Sequence, residues 1–143
     1  MKYKAVIFDL FGTLVDMFSF EEYRETVRRM ACVLSAPEED FCRLWIEETW
    51  EMRDAGVFST VEEGIAYICR LLNINTGSLV EAVNIRLNFV KRALTPRRGA
   101  EDVLKKLKMR GYKTGLISDC APDVPLLWPE TPFSGLIDAP VFS

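Results

Sequence analysis

The 143-residue sequence contains no histidine. That absence removes the imidazole on which Ser-His-Asp and Cys-His hydrolases, H-E-x-x-H proteases and most catalytic zinc sites depend. The four cysteines, Cys32, Cys42, Cys69 and Cys120, form no C-x-x-C pair and no metal-ligand spacing, which leaves neither a redox dithiol nor a structural zinc site. Apolar neighbours around the first three predict buried, reduced thiols. No apolar run approaches the ~20 residues of a membrane span, and the N-terminal apolar stretch is too short, and too soon followed by acids, to be a secretion signal. A cytoplasmic protein with no membrane partner is therefore expected. An excess of positive charge is lacking as well: 18 Lys and Arg stand against 21 Asp and Glu, a formal net charge of −3, which argues against a nucleic-acid partner. The one basic cluster, "KKLKMR" at Lys105 to Arg110, fits the solvated face and last turn of a helix. Chemistry in this chain must rest on carboxylates, hydroxyls, lysines or a hard metal ion.

What is present is a chain that is 49% hydrophobic, long enough to bury a core in a single domain or a small bipartite fold. "YKAVIF", Tyr3 to Phe8, reads as a buried strand ending at Asp9 and Gly12. After Asp16 the apolar period becomes helical. Ser19 with Glu22, Ser35 with Glu38, Thr60 with Glu63 and Ser78 with Glu81 have the capping-box spacing, in which hydroxyl and carboxylate each satisfy an unpaired N–H of the first helical turn. Four helices follow, with apolar stripes such as Phe41, Leu44, Trp45 and Met52, or Val61, Ile65, Ile68 and Leu72. "TPRRGA", Thr95 to Ala100, punctuates the chain before a helix carrying Val103, Leu104 and Leu107 that Gly111 stops. "YKTGLIS" and the final "GLIDAPVFS" have strand composition, and the proline-rich "APDVPLLWPETPF" between them suits irregular chain with a short helix, Trp128 serving as a packing or interface aromatic. This order predicts an α/β fold: a Rossmann-like parallel sheet from residues 1–16 and 95–143, with a four-helix cap, residues 17–94, inserted after the first strand.

In open parallel sheets ligands bind at the carboxyl ends of the strands. Asp9 ends the first strand and Ser118 the second. An aspartate there either meets a metal, an N–H donor or a substrate, or caps its own turn, and the residues alone leave both readings open. Gly12 permits a close backbone approach, so that amides from Phe11 to Thr13 could line an anion site, with Thr13 bracing the turn. Cys120, two residues after Ser118, has no imidazole to activate it and is read as a spectator thiol.

The segment "VIFDLFGTLVD", followed by a helical cap and then "LISD", resembles the haloacid dehalogenase superfamily. Its first motif is a hydrophobic strand ending in D-x-D-G-T or D-x-Y-G-T, and its second is a strand ending in Ser or Thr. The resemblance implies that Asp9 is a nucleophile forming a covalent aspartyl intermediate. It also implies that Ser118 hydrogen-bonds the transferring phosphoryl group or the substrate carboxylate, with Phe11, Gly12, Thr13 and Asp119 around the substrate. In the superfamily's phosphatases a magnesium ion is held by the nucleophile and by the carbonyl two residues on, here Asp9 and Phe11. The resemblance thus implies phosphoryl transfer from a small phosphorylated metabolite. Position 11, however, is where those phosphatases carry the aspartate that protonates the leaving alkoxide, and Phe11 cannot donate a proton. Dehalogenases have tyrosine there and need neither proton nor metal, so hydrolysis of an L-2-haloacid is the alternative. That chemistry would need a cation for the substrate carboxylate, for which Arg24, Arg28, Arg43 and Arg53 are candidates.

The resemblance further implies a third motif with a lysine and a fourth with paired acids. No lysine or arginine follows Ser118, and three strands are few for a sheet covered on both faces. A chain lacking the later motifs is expected, hence a third reading: a non-catalytic fragment or interaction module that self-associates through the edge strand at Leu136 to Phe142.

Overall fold

The computed structural model describes residues 3–143. Three parallel strands, β1 (Ala5–Phe8), β2 (Lys113–Ser118) and β3 (Ala139–Phe142), form one sheet in the order β1-β2-β3. Ala5 pairs with Lys113 and Phe8 with Leu116, while Gly115 pairs with Ala139 and Ser118 with Phe142. Between β1 and β2 come α1 (Phe20–Val33), α2 (Glu38–Arg43), α3 (Trp50–Asp54), α4 (Val61–Leu71), α5 (Leu79–Ala93) and α6 (Ala100–Met109). A short α7 (Asp123–Leu127) and two 3₁₀ turns lead to β3. This is the α/β class expected, with a three-strand parallel sheet. No helix among the described residues is long and apolar enough to cross a membrane. The chain divides into a sheet unit, made of the segment up to Met17 with Arg92–Cys120 and Val124–Ser143, and a helical unit, Phe18–Lys91 with Ala121–Asp123.

In the sheet unit, β2 alternates strictly. Thr114, Leu116 and Ser118 are buried, while Lys113 and Ile117 are exposed. α6 packs against β2, and Leu104 of α6 is fully buried, as are Leu116 and Phe133. The proline-rich connector adds aromatic weight: Trp128 stacks on Phe133 at 5.8 Å and meets Phe142 edge-on at 5.3 Å. The other face stays open, which departs from the reading of "YKAVIF" as a buried strand. Ala5 and Ile7 are exposed and Val6 and Phe8 half-buried. Apolar residues at every position of a strand predict two covered faces; here only one is covered.

Entry to β3 is fixed by Asp138. Its Oδ2 accepts from Thr114 N–H at 2.9 Å, and Lys108 Nζ lies 3.2 Å from Oδ1. The Thr114 amide, then Lys108, hold its carboxyl below the ordinary value of 3.8. With the folded value depressed, the stabilisation is fully present above the unfolded value and disappears as the pH falls through the folded one. Asp138→Asn is therefore expected to reduce stability at neutral pH and to flatten its decline below about pH 4. Urea unfolding of both proteins across the acid range checks this.

The helical unit buries Val27, Met30, Phe41, Leu44, Trp45, Ile65 and Ile68 in one core. Ser19 and Thr60 cap as their spacing predicts, each accepting the N–H three residues on, from Glu22 and Glu63. Ser35 does not cap. It is left-handed at φ 52°, and its neighbour Ala36 donates to Ala31 C=O, so it ends α1 and does not begin α2. α2 starts at Pro37 without a side-chain cap, its first turn carrying Glu38, Glu39 and Asp40 against the helix dipole. A left-handed L-residue is costly, so Ser35→Gly is expected to stabilise the chain by about 0.5–1 kcal/mol in denaturant unfolding.

The second predicted helix is interrupted. Thr49 N–H and Oγ1 both donate to Leu44 C=O, making a π turn over Leu44–Glu48 between α2 and α3. The buried-thiol expectation holds for Cys69 only, since Cys42 is half-buried and Cys32 exposed. Burial pushes the Cys69 and Cys42 thiols up, which keeps both in the inert thiol form.

Candidate active site

The candidate site is the carboxyl edge of β1 and β2. Phe8 is level with Leu116, so one step further Asp9 lies beside Ile117 and Ser118 follows on the adjacent strand, with strands about 4.8 Å apart. The aspartate and serine read from the sequence are thus neighbours at the lip of the sheet.

Asp9 is solvent-exposed. Its Oδ1 accepts from Leu10 N–H at 2.8 Å, and its other oxygen makes no hydrogen bond among the described residues. One oxygen is therefore anchored by the backbone and the other points to no protein donor, which suits a carboxylate that must be aimed and still react. Leu10, by contrast, is fully buried, and this apolar anchor starts a tight turn. Leu10 C=O accepts from the N–H groups of Thr13, Leu14 and Val15 at 3.2, 2.9 and 3.1 Å. Gly12 supplies the required positive φ of 76°, and its N–H donates to Val15 C=O at 2.8 Å. A Cβ at Gly12 would be strained by that φ.

This turn changes the expectation for the loop amides. The N–H groups of Gly12 and Thr13 are engaged within the loop itself, so neither is offered to an anion in this conformation. Thr13 is exposed and braces the turn through its backbone. Phe11 is half-buried and bridges Val15, a contact built from Leu10 C=O and Gly12 N–H and not from Phe11's own carbonyl.

Arg97 is a residue that sequence reading missed. Its backbone N–H donates to Leu14 C=O at 2.8 Å, its Nη1 to Gly12 C=O at 2.9 Å, and its Nε lies 2.9 Å from Asp16 Oδ1. The side chain clamps both ends of the Asp9 loop. "TPRRGA" reads as punctuation, and nothing in it signals the clamp; in the structure its Pro96 forms an antiparallel bridge with Val15.

Ser118 is buried at 2% exposure, the last residue of β2, and its C=O accepts from Ser143 N–H at 3.0 Å. Asp119 is exposed beyond it. Cys120 is half-buried, with its N–H donating to Ser143 C=O. These bonds tie the loop after β2 to the end of β3.

The arginines proposed as substrate cations are committed within the helical unit. Arg28 pairs with Glu25 and Glu38, and Arg43 with Asp40 and Glu48. Arg24 lies over the Phe20 ring. Arg53 is buried 4.1 Å above Trp45, donating to Thr49 Oγ1 at 2.8 Å and to Trp45 C=O at 2.7 Å. Burial lowers its pKa, and its bonds brace the π turn. Arg86, which the sequence did not single out, is the other buried cation. Its Nε donates to Asp123 Oδ2 at 2.6 Å, and the Tyr23 and Phe89 rings lie 5.4 and 5.5 Å from its guanidinium carbon.

As to a metal, the described residues contain no cluster of three His, Cys, Asp or Glu side chains. Of the two donors expected from the sequence, Asp9 has one oxygen that takes no hydrogen bond among the described residues; with the Phe11 carbonyl it would hold a magnesium ion only if that ion kept most of its waters.

Residues 3–128 match the profile of the haloacid dehalogenase-like hydrolase family. Two curated relatives, (S)-2-haloacid dehalogenases of Pseudomonas fluorescens and Pseudomonas putida, are 29% and 27% identical over 124 residues, 81% of this chain and 51% of theirs. The chain therefore spans about half the length of the curated relatives it matches. Among solved structures, a dehalogenase is similar with a TM-score of 0.52 at 19% identity, over 98% of this chain and 62% of that one. A HAD-superfamily hydrolase of subfamily IA from Geobacter sulfurreducens PCA gives 0.51 at 17% identity, with 98% and 62% covered.

Proposed function

The chain belongs to the haloacid dehalogenase-like hydrolases, and from that membership we propose that Asp9 is the nucleophile of a hydrolase acting on a small (S)-2-haloacid. The observation that carries this reading is an exposed carboxylate at the lip of the sheet, two residues before a phenylalanine. A halide leaves without a proton, whereas an alkoxide needs a donor worth ~10²–10⁴-fold, which Phe11 cannot be. The two curated relatives carry the matching name.

In this reading an Asp9 oxygen forms a bond to C2 of the acid while the carbon–halogen bond breaks and the halide leaves with its electron pair. Water then adds to the Asp9 carbonyl, the acyl–oxygen bond breaks, and the 2-hydroxyacid departs. The carboxylate is restored and the proton goes to solvent. Leu10 N–H, on Oδ1, orients the carboxylate and polarises the carbonyl that water attacks. The Ser118 hydroxyl is the donor for the substrate carboxylate. Asp119, whose own charge repels such a substrate, serves through its backbone N–H.

Magnesium-dependent phosphoryl transfer is the second reading, supported by the Asp9 oxygen that takes no hydrogen bond among the described residues; the Phe11 carbonyl would be its companion ligand. A bound ion there would neutralise charge on a moving phosphoryl group. Ion release decides: halide from an (S)-2-haloacid with chelator present supports the first reading, and phosphate from a small monoester that requires magnesium supports the second. Neither ion, from chain that is folded by circular dichroism, supports a non-catalytic module.

A further inference from the structure

The loop that begins at Asp9 is held by a side chain 85 positions further along the sequence. Leu10 stands at the centre of that loop. Its N–H donates to Asp9 Oδ1 at 2.8 Å, and its C=O accepts from the N–H groups of Thr13, Leu14 and Val15. Thr13 N–H makes the longest of these three bonds, 3.2 Å, and it shares one planar peptide unit with Gly12 C=O. Arg97 Nη1 donates to that carbonyl at 2.9 Å. A single peptide plane is thus gripped from both sides, by a guanidinium on its oxygen and by Leu10 C=O on its N–H. We infer that Arg97 is a positioning residue, which fixes the peptide between Gly12 and Thr13 and through Leu10 the aim of the Asp9 carboxylate. The consequence for turnover rests on the reading of Asp9 as a nucleophile; the effect on the loop does not.

Gly12 is what needs holding. At φ 76° and without a side chain, it has the backbone freedom that lets the following peptide turn over. A flipped plane would lose its bond to Arg97 and take one of three donors from Leu10 C=O.

Arginine suits the task because its contacts diverge. Nη1 reaches Gly12 C=O, Nε lies 2.9 Å from Asp16 Oδ1, and the backbone N–H donates to Leu14 C=O at 2.8 Å, beside the bridge between Val15 and Pro96. A guanidinium serves different acceptors on different nitrogens, whereas an ammonium is a single point of charge. The Arg97 side chain is 47% exposed and Asp16 79%, and ion pairs of that kind contribute little to stability. The pair with Asp16 therefore orients the guanidinium toward Gly12, and its loss loosens the loop without unfolding the chain. All of these groups lie in the sheet unit.

Amide hydrogen exchange followed by NMR, together with the kinetics of halide release from an (S)-2-haloacid, tests this in Arg97→Met. Arg98→Met, which removes the same charge from the exposed neighbour, is the control. Arg97→Met should speed exchange of the Thr13 N–H about 10-fold and leave that of Leu116 in β2 unchanged. It should lower kcat about 10–100-fold with KM held within about 3-fold. Arg98→Met should match the wild type in both measurements. Unchanged Thr13 exchange in Arg97→Met, an equal acceleration at Leu116, an equal effect of Arg98→Met, or a full kcat in Arg97→Met would each overturn the inference. If the wild-type chain releases no halide, the reading of Asp9 fails, and Thr13 exchange alone decides whether Arg97 holds the loop.

Discussion

Asp9→Asn is expected to abolish halide release, lowering the rate by at least about 10⁴-fold, while thermal unfolding stays where it was. Asparagine keeps an oxygen that can accept from Leu10 N–H and has the same shape, so the turn held by Gly12, Val15 and Arg97 is undisturbed. An amide oxygen is a poor nucleophile, however, and losses of that size follow when a group that forms the covalent bond is removed. Asp9→Ala should be equally inactive but slightly less stable, since Leu10 N–H then loses its partner. Parallel halide-release and unfolding measurements separate the chemical from the structural role.

The second large effect concerns Arg86 and Asp123. The pair is buried, at 8% and 2% exposure, and only one bond between them is made. Among the described residues Arg86 Nη1 and Asp123 Oδ1 have no partner. A buried ion pair recovers its desolvation cost only when the remaining donors and acceptors are also satisfied. Arg86→Met or Asp123→Leu alone leaves the other charge buried and uncompensated, which should cost about 3–5 kcal/mol in urea unfolding. Replacing both together should recover most of that loss, because Tyr23 and Phe89 offer an apolar surround. A double variant as unstable as the singles would mean that the pair itself supplies net stability.

Much of this was legible in the residues. Period and capping spacing placed α1 and α4 because Ser19 and Thr60 act locally, on the turn they begin. Ser35 has the same spacing and does the opposite job. Its position is set by how α1 ends, a contest between two neighbouring helices that a single spacing cannot register. Gly12 and Asp9 were readable because a strand, an acid and a positive-φ turn are all local. Arg97 was not, since its partners Gly12 and Asp16 lie about 80 residues earlier and meet it only once the sheet forms. Arg53 drew notice as a candidate cation for a substrate carboxylate and is a core brace, held over Trp45 by bonds to the π turn and the residue that ends it. Arg86 and Asp123, 37 positions apart, were invisible for the same non-local reason. The open face of the sheet was hidden too, since "YKAVIF" has the composition of a buried strand.

Turnover in heavy-oxygen water, followed by mass spectrometry of the peptide that contains Asp9, tests covalent catalysis by this residue most directly. If water attacks the Asp9 ester, the peptide gains heavy oxygen and the hydroxyl released in the first turnover carries the ordinary oxygen of the enzyme. Heavy oxygen found in the product alone, with Asp9 unlabelled after many turnovers, would contradict it.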